Sequence, residues 1–141
     1  MSAKASSRFV LDASVTLGAF FKDEQDAYSL AVLATLDDAR AVVPALWHLE
    51  LGNILGRAMK AGRISAAALD TCWQRLGCLG IQVLPTPEDA RLWAERSAEW
   101  NLSAYDACYL DLARQQRLPL ATKDAPLAAA ARRIGVSLYL A

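Results

Sequence analysis

Zinc-binding and disulfide-stapled architectures are excluded first, because the chain is poor in the residues they need. It has one histidine, His48, and three cysteines, Cys72, Cys78 and Cys108, with no C-x-x-C pair and no even set for cross-linking. The cysteines are read as ordinary packing residues in a reducing compartment. No apolar run approaches transmembrane length, and the N-terminal MSAKASSR is followed by no apolar signal core. A soluble cytoplasmic protein with no membrane partner is expected. Neither sign of charge predominates, since Lys plus Arg and Asp plus Glu both number 15. That balance excludes a surface that grips nucleic acid as a whole and confines any such contact to a local patch. There is no G-x-S-x-G elbow, so His48 has no hydrolase nucleophile to serve. Linkers, repeats and low-complexity stretches are likewise missing.

What is present is an apolar chain of 141 residues, 55% of them hydrophobic. This suffices for one domain, spanning 1–141, with one buried core. Short apolar segments at 8–12, 41–43, 81–84, 118–122 and 136–140 predict strands of the kind buried on both faces of a parallel sheet. Between them, helical patterns run over 27–36, 46–61, 66–79, 87–100, 104–116 and 126–133. Pro44, Pro85, Pro87 and Pro119 punctuate the connections, and Gly62 and Gly135 fall where helix ends are expected. The alternation predicts an α/β fold with a short central parallel sheet of about five strands between two layers of helices.

Four carboxylates sit where these runs begin or end: Asp12 in FVLDASV, Glu50 in PALWHLELGN, Asp106 in SAYDACYL and Asp124 in LPLATKD. In an open parallel sheet, sites collect beyond the carboxyl ends of the strands, so all four are expected at one rim. Each of three has a plainer reading. Asp12 and Asp124 are good helix N-caps, and Ser103-x-x-Asp106 resembles a capping box. Glu50 is harder to explain as a cap, lying among Leu46, Trp47, Leu49, Leu51, Ile54 and Leu55. A carboxylate there requires a partner, either a metal ion or a cation such as Arg57. Oxygen-rich sites of this kind suit Mg²⁺, with Mn²⁺ as the alternative, and the chemistry to expect is phosphodiester transfer. Asp111, five residues after Asp106, points elsewhere on its helix and is read as surface.

Taken together, the four segments resemble the PIN-domain ribonucleases, in particular the VapC-type toxins of bacterial toxin–antitoxin pairs. VLDASV is similar to the family's first strand, with its metal-binding Asp and a small hydroxyl residue following. The stretch from Pro44 through Glu50 and Asn53 resembles the second acidic segment, SAYDACYLDLA the third and LATKD the fourth. The resemblance implies that Asp12, Glu50, Asp106 and Asp124 form the catalytic metal site, with Ser14, Asn53 and Thr122 as supporting polar groups. It also implies hydrolysis of RNA by a metal-activated water, leaving a 5′-phosphate and a 3′-hydroxyl, together with a homodimer and a cognate antitoxin protein that covers the site.

Other classes fit less well. A phosphorelay receiver wants adjacent acids after its first strand, where Leu11 precedes Asp12, and a phospho-accepting Asp after a middle strand, where Pro85-Thr86-Pro87 stands. A haloacid-dehalogenase-like phosphatase wants an acid at Ser14. The serious rival is a catalytically silent PIN module that binds RNA or a protein partner. For RNA contact, Arg57, Lys60, Arg63 and Lys123 compete with the reading of a solvated charged face. Trp47, Trp73, Trp93 and Trp100 are more readily core or dimer packing than base-stacking platforms.

Overall fold

The computed structural model describes residues 7–141, and everything below concerns those residues. Four parallel strands, β1 (Arg8–Leu11), β2 (Arg40–Pro44), β3 (Gln82–Leu84) and β4 (Leu120–Ala121), lie in the order β3-β2-β1-β4. Register is fixed by Val10 opposite Val42 on one side and Leu120 on the other, and by Val43 opposite Val83. The central strand is buried on both faces, with Phe9, Val10 and Leu11 wholly inaccessible, so its side chains form an unbroken apolar run rather than an alternation. Segment 136–140, expected as a fifth strand, joins the sheet by a single parallel bridge from Leu138 to Leu120. Backbone hydrogen bonds between Leu120 and both Ser137 and Tyr139 make that bridge, and side chains add to it. The Tyr139 ring stacks on Phe9 at 4.0 Å between centroids, and its hydroxyl hydrogen-bonds with Thr35 at 3.0 Å.

Seven helices flank the sheet: α1 (Ala13–Thr16), α2 (Ala27–Ala34), α3 (Leu46–Lys60), α4 (Ala66–Gly77), α5 (Ala90–Trp100), α6 (Ala104–Gln116) and α7 (Ala125–Arg133). Most starts have a local cause. Asp26, Ser65, Ser103 and Asp124 each accept a backbone N–H of the first turn through the side chain. Helix α5 begins at Ala90 rather than near Pro87, because Asp89 accepts from the amides of Arg91 and Leu92. Helices α5 and α6 end in left-handed caps at Asn101 and Arg117, with φ near 52° and 56°, which turn the chain sharply into the next element.

Helix α6 packs against β1, β2 and β4 as well as α5 and α7, and buries Ala107, Tyr109, Leu110 and Ala113. It also buries Asp111, which overturns its reading as a surface residue. The Asp111 carboxylate is paired with Arg114 at 2.8 Å and Arg96 at 3.6 Å. Helix α5 packs on α6 there, and its Arg96 adds to the compensating charge that Arg114 supplies from α6 itself. The cysteines also depart from expectation, since Cys78 is exposed and Cys72 and Cys108 are only half-buried. Among the described residues no helix is long and apolar enough to cross a membrane.

Candidate metal centre

In strand order β3-β2-β1-β4 the chain leaves β1 toward β2 on one side and returns to β4 on the other, so the switch point lies between the carboxyl ends of β1 and β4. Asp12 is the first residue beyond β1, and Thr122-Lys123-Asp124 follows β4 directly. Helix α3 brings Glu50 from its second turn, and α6 brings Asp106 in its first.

Asp12 is 5% exposed and occupies the N-cap position of α1, yet its side chain caps nothing. Its Oδ2 instead accepts the hydroxyls of Ser14 and Thr122, each at 2.7 Å. Those hydroxyls also accept backbone amides: Lys123 N–H donates across the switch point to Ser14 Oγ, and Asp124 N–H donates within its own loop to Thr122 Oγ1, both at 3.0 Å. Asp-x-Ser after one strand and Thr-x-Asp after the other thus lock two loops together around one carboxylate. Below them, Thr16 donates its hydroxyl to the Asp12 carbonyl and accepts the buried Trp47 indole N–H at 3.0 Å, which ties α1 to α3.

Asp124 does serve as an N-cap, its Oδ2 accepting Leu127 N–H at 2.9 Å, while its charge acts on the site. Asp106 lies at N3 of α6, where its own amide donates to the Ser103 hydroxyl. Glu50 is half-buried, and its partner is not Arg57 but the hydroxyl of Tyr109, which donates to Oε1 at 2.6 Å.

The four acids feel one another. Burial pushes the Asp106 carboxyl up to about 6, and the charges of Asp124, Asp12 and Glu50 add to it against the opposing Ser103 hydroxyl. Burial likewise raises Glu50, opposed by the Tyr109 phenol and reinforced by Asp12. Asp12 is raised by burial, opposed by the Ser14 and Thr122 hydroxyls and reinforced by Asp124. Among the described residues, no Lys, Arg or His lies within ion-pair distance of any of the four. Nor are three of them gathered tightly enough to enclose an ion in this conformation. Like charges ~5 Å apart at an effective dielectric of ~20 repel by roughly 3 kcal/mol, so without a cation nothing draws them closer. An oxygen-only donor set that is charged, partly desolvated and lacking a cationic partner fits a hard divalent ion.

Of the expected supporting groups, Ser14 and Thr122 touch Asp12, whereas Asn53 is exposed one turn beyond Glu50 and bonds none of the acids. Of the expected RNA-contacting cations, Lys123 is held by Glu24 and Asp26, and Arg63 by Asp23 and the face of Phe21. Arg57 and Lys60 are exposed on α3. Trp47 and Trp100 are core residues, Trp93 is half-buried and Trp73 is exposed. Tyr109 and Thr16 escaped the sequence reading. The signal for Tyr109 was its spacing, three residues after Asp106 on the same helix face, together with a hydroxyl that needs a partner once buried.

Fold and site together define a three-layer parallel α/β domain that gathers carboxylates at its switch point. The PIN domain family model matches residues 9–133. The chain is 36% identical over 119 residues to VapC ribonuclease Mb0985 of Mycobacterium bovis, covering 82% of this chain and 84% of that one. Ribonuclease VapC9 of Mycobacterium tuberculosis H37Rv matches to the same extent. Among solved structures, PAE2754 from Pyrobaculum aerophilum aligns with a TM-score of 0.67 at 26% identity, over 91% of this chain and 87% of that one. FitAcB from Neisseria gonorrhoeae shares the fold, with a TM-score of 0.62 at 22% identity over 93% and 96% of the two chains. The chain belongs to the PIN-domain family.

Proposed function

We propose that this protein is a divalent-metal-dependent endoribonuclease, the toxin of a toxin–antitoxin pair. The observation that carries the reading is the mutual, uncompensated charge of Asp12, Glu50, Asp106 and Asp124, in a chain whose curated relatives are named VapC ribonucleases. Asp12, Glu50 and Asp106 would hold Mg²⁺ or Mn²⁺, with Asp124 completing the charge. When bound, such an ion lowers the pKa of a water and stabilises the attacking and leaving oxygens of an in-line displacement. The chain's own residues supply the rest. Ser14 and Thr122 keep one oxygen of Asp12 occupied and so fix the direction of the other. The Ser103 cap keeps the first turn of α6 in place beneath Asp106. Asn53, Arg57 and Lys60, exposed on α3, are available to an RNA backbone, and a few such contacts would make binding weaken with added salt.

An antitoxin that covers the site would match it by charge, placing an Arg or Lys among the carboxylates. Co-purification with the neighbouring-gene product tests this. A homodimer acting in the cytoplasm completes the proposal. The decisive experiment is end-mapped cleavage of total cellular RNA by antitoxin-free protein with Mn²⁺, beside Asp106→Asn and a chelator control. Cleavage at defined sites, leaving 5′-phosphates and lost in both controls, is expected. A folded protein that binds Mn²⁺ but cleaves nothing would instead be a silent binding module.

A further inference from the structure

We infer that Tyr109 is a positioning residue for Glu50, fixing the carboxylate that α3 contributes to the metal site. The inference rests on the metal-site reading above. Glu50 is half-buried in the second turn of α3, and a glutamate in that setting has three rotatable bonds with which to wander. Tyr109 has two, and its ring is wholly inaccessible within the core, between β1 and the neighbouring helices. From there its hydroxyl donates to Glu50 Oε1 at 2.6 Å, a short bond of the kind a charged acceptor makes.

The position matters as much as the strength. Tyr109 follows Asp106 by three residues, so one face of α6 carries a candidate ligand at its rim and, one turn deeper, the group that orients a second ligand from another helix. On α3 the same spacing recurs, because Trp47, three residues before Glu50, donates to Thr16 and ties the start of that helix to the loop bearing Asp12. Tyr109 therefore holds the Glu50 carboxylate itself, while Trp47 anchors the start of the helix that carries it. With Oε1 occupied by Tyr109, Oε2 is the oxygen left to turn toward Asp12 and Asp106. Partners of this kind, one bond removed from an ion, typically govern metal affinity by 10- to 100-fold.

The test is Mn²⁺ binding by the full chain, free of antitoxin, followed by calorimetry or by the electron paramagnetic resonance of the free ion. Tyr109→Phe keeps the ring and its packing and removes only the donor. It is expected to weaken Mn²⁺ binding about tenfold, with thermal stability in chelator close to wild type. In a Glu50→Gln background the same change is expected to have little further effect on Mn²⁺ affinity, because the two residues act as one unit. Unchanged affinity in Tyr109→Phe, or full additivity with Glu50→Gln, would overturn the inference while leaving the metal site standing. Wild-type protein that binds no Mn²⁺, or an Asp106→Asn variant that binds it as well as wild type, would overturn the metal site and this inference with it.

Discussion

Replacing Asp106 with Asn should make the metal-free protein more stable, even though it disables the proposed site. The Asp106 carboxyl is raised from 3.8 to about 6, chiefly by burial and then by three neighbouring charges. At roughly 1.4 kcal/mol per pH unit, that shift sets an upper bound of about 3 kcal/mol on the cost of holding the ionised form in the folded state. The group is half-buried, and solvent screening reduces the figure to about 1–2 kcal/mol. Asn also forfeits a negative charge at a helix N-terminus, worth about 0.3–1 kcal/mol, so the net gain is about 1 kcal/mol. In a chain of this size that corresponds to a rise of about 3 °C in Tm.

The size of the gain depends on pH. A folded-state pKa above the unfolded value means that the penalty is absent below the unfolded value and complete once the pH has passed about 6. The advantage of the variant should therefore be full at pH 8, about half as large at pH 5, and reversed at pH 8 when Mn²⁺ is added. An ion at a hundred times its Kd stabilises the wild type by about 2.7 kcal/mol, whereas the variant holds the ion poorly. Thermal unfolding of both proteins at pH 5 and 8, in chelator and in Mn²⁺, reads out every term. A variant less stable than wild type in chelator at pH 8, or a difference indifferent to pH, would refute the account of mutual repulsion.

Four further substitutions, at three positions, separate structural from chemical roles. Thr16→Val removes the acceptor of the buried Trp47 N–H and should cost about 1–3 kcal/mol in urea unfolding, while a neutral change would show that the indole finds another partner. Asp124→Asn keeps the N-cap of α7 and should unfold near wild type, whereas Asp124→Ala should lose about 1 kcal/mol. Both should weaken Mn²⁺ binding, and equal stabilities would deny the cap its role. Asp111→Ala strands Arg114 and leaves Arg96 with Glu99 as its remaining ion-pair partner, and should cost about 1–2 kcal/mol without changing Mn²⁺ affinity; an altered affinity would connect that ion pair to the site.

Where the sequence was legible, a local rule held. The apolar runs of β1 and β2 and the capped starts of α4 and α6 follow from periodicity and side-chain capping, and they set Asp12 at the end of β1 and Asp106 in the first turn of α6. Asp111 was misread because spacing along one helix tells which side a residue faces, not what lies there. Only the packing of α5 against α6 supplies Arg96. The partner of Glu50 was hidden for the same reason, since Tyr109 stands 59 positions away and meets it through the tertiary fold. Asp12 and Asp124 show the opposite case. Both occupy N-cap positions, yet only Asp124 caps, because Ser14 and Thr122 compete successfully for the Asp12 carboxylate.

The pair of hydroxyls on Asp12 has a chemical consequence of its own. Ser14 Oγ and Thr122 Oγ1 each already receive a backbone N–H, so each directs its single hydrogen at Asp12 Oδ2. That oxygen accepts two hydrogens and has no room for a third. When Asp12 takes up a proton it must do so on Oδ1, the oxygen left for an incoming ion. At the proposed metal site, acid and metal would then be rivals for one atom, and affinity for a cation would fall as the surroundings become more acid.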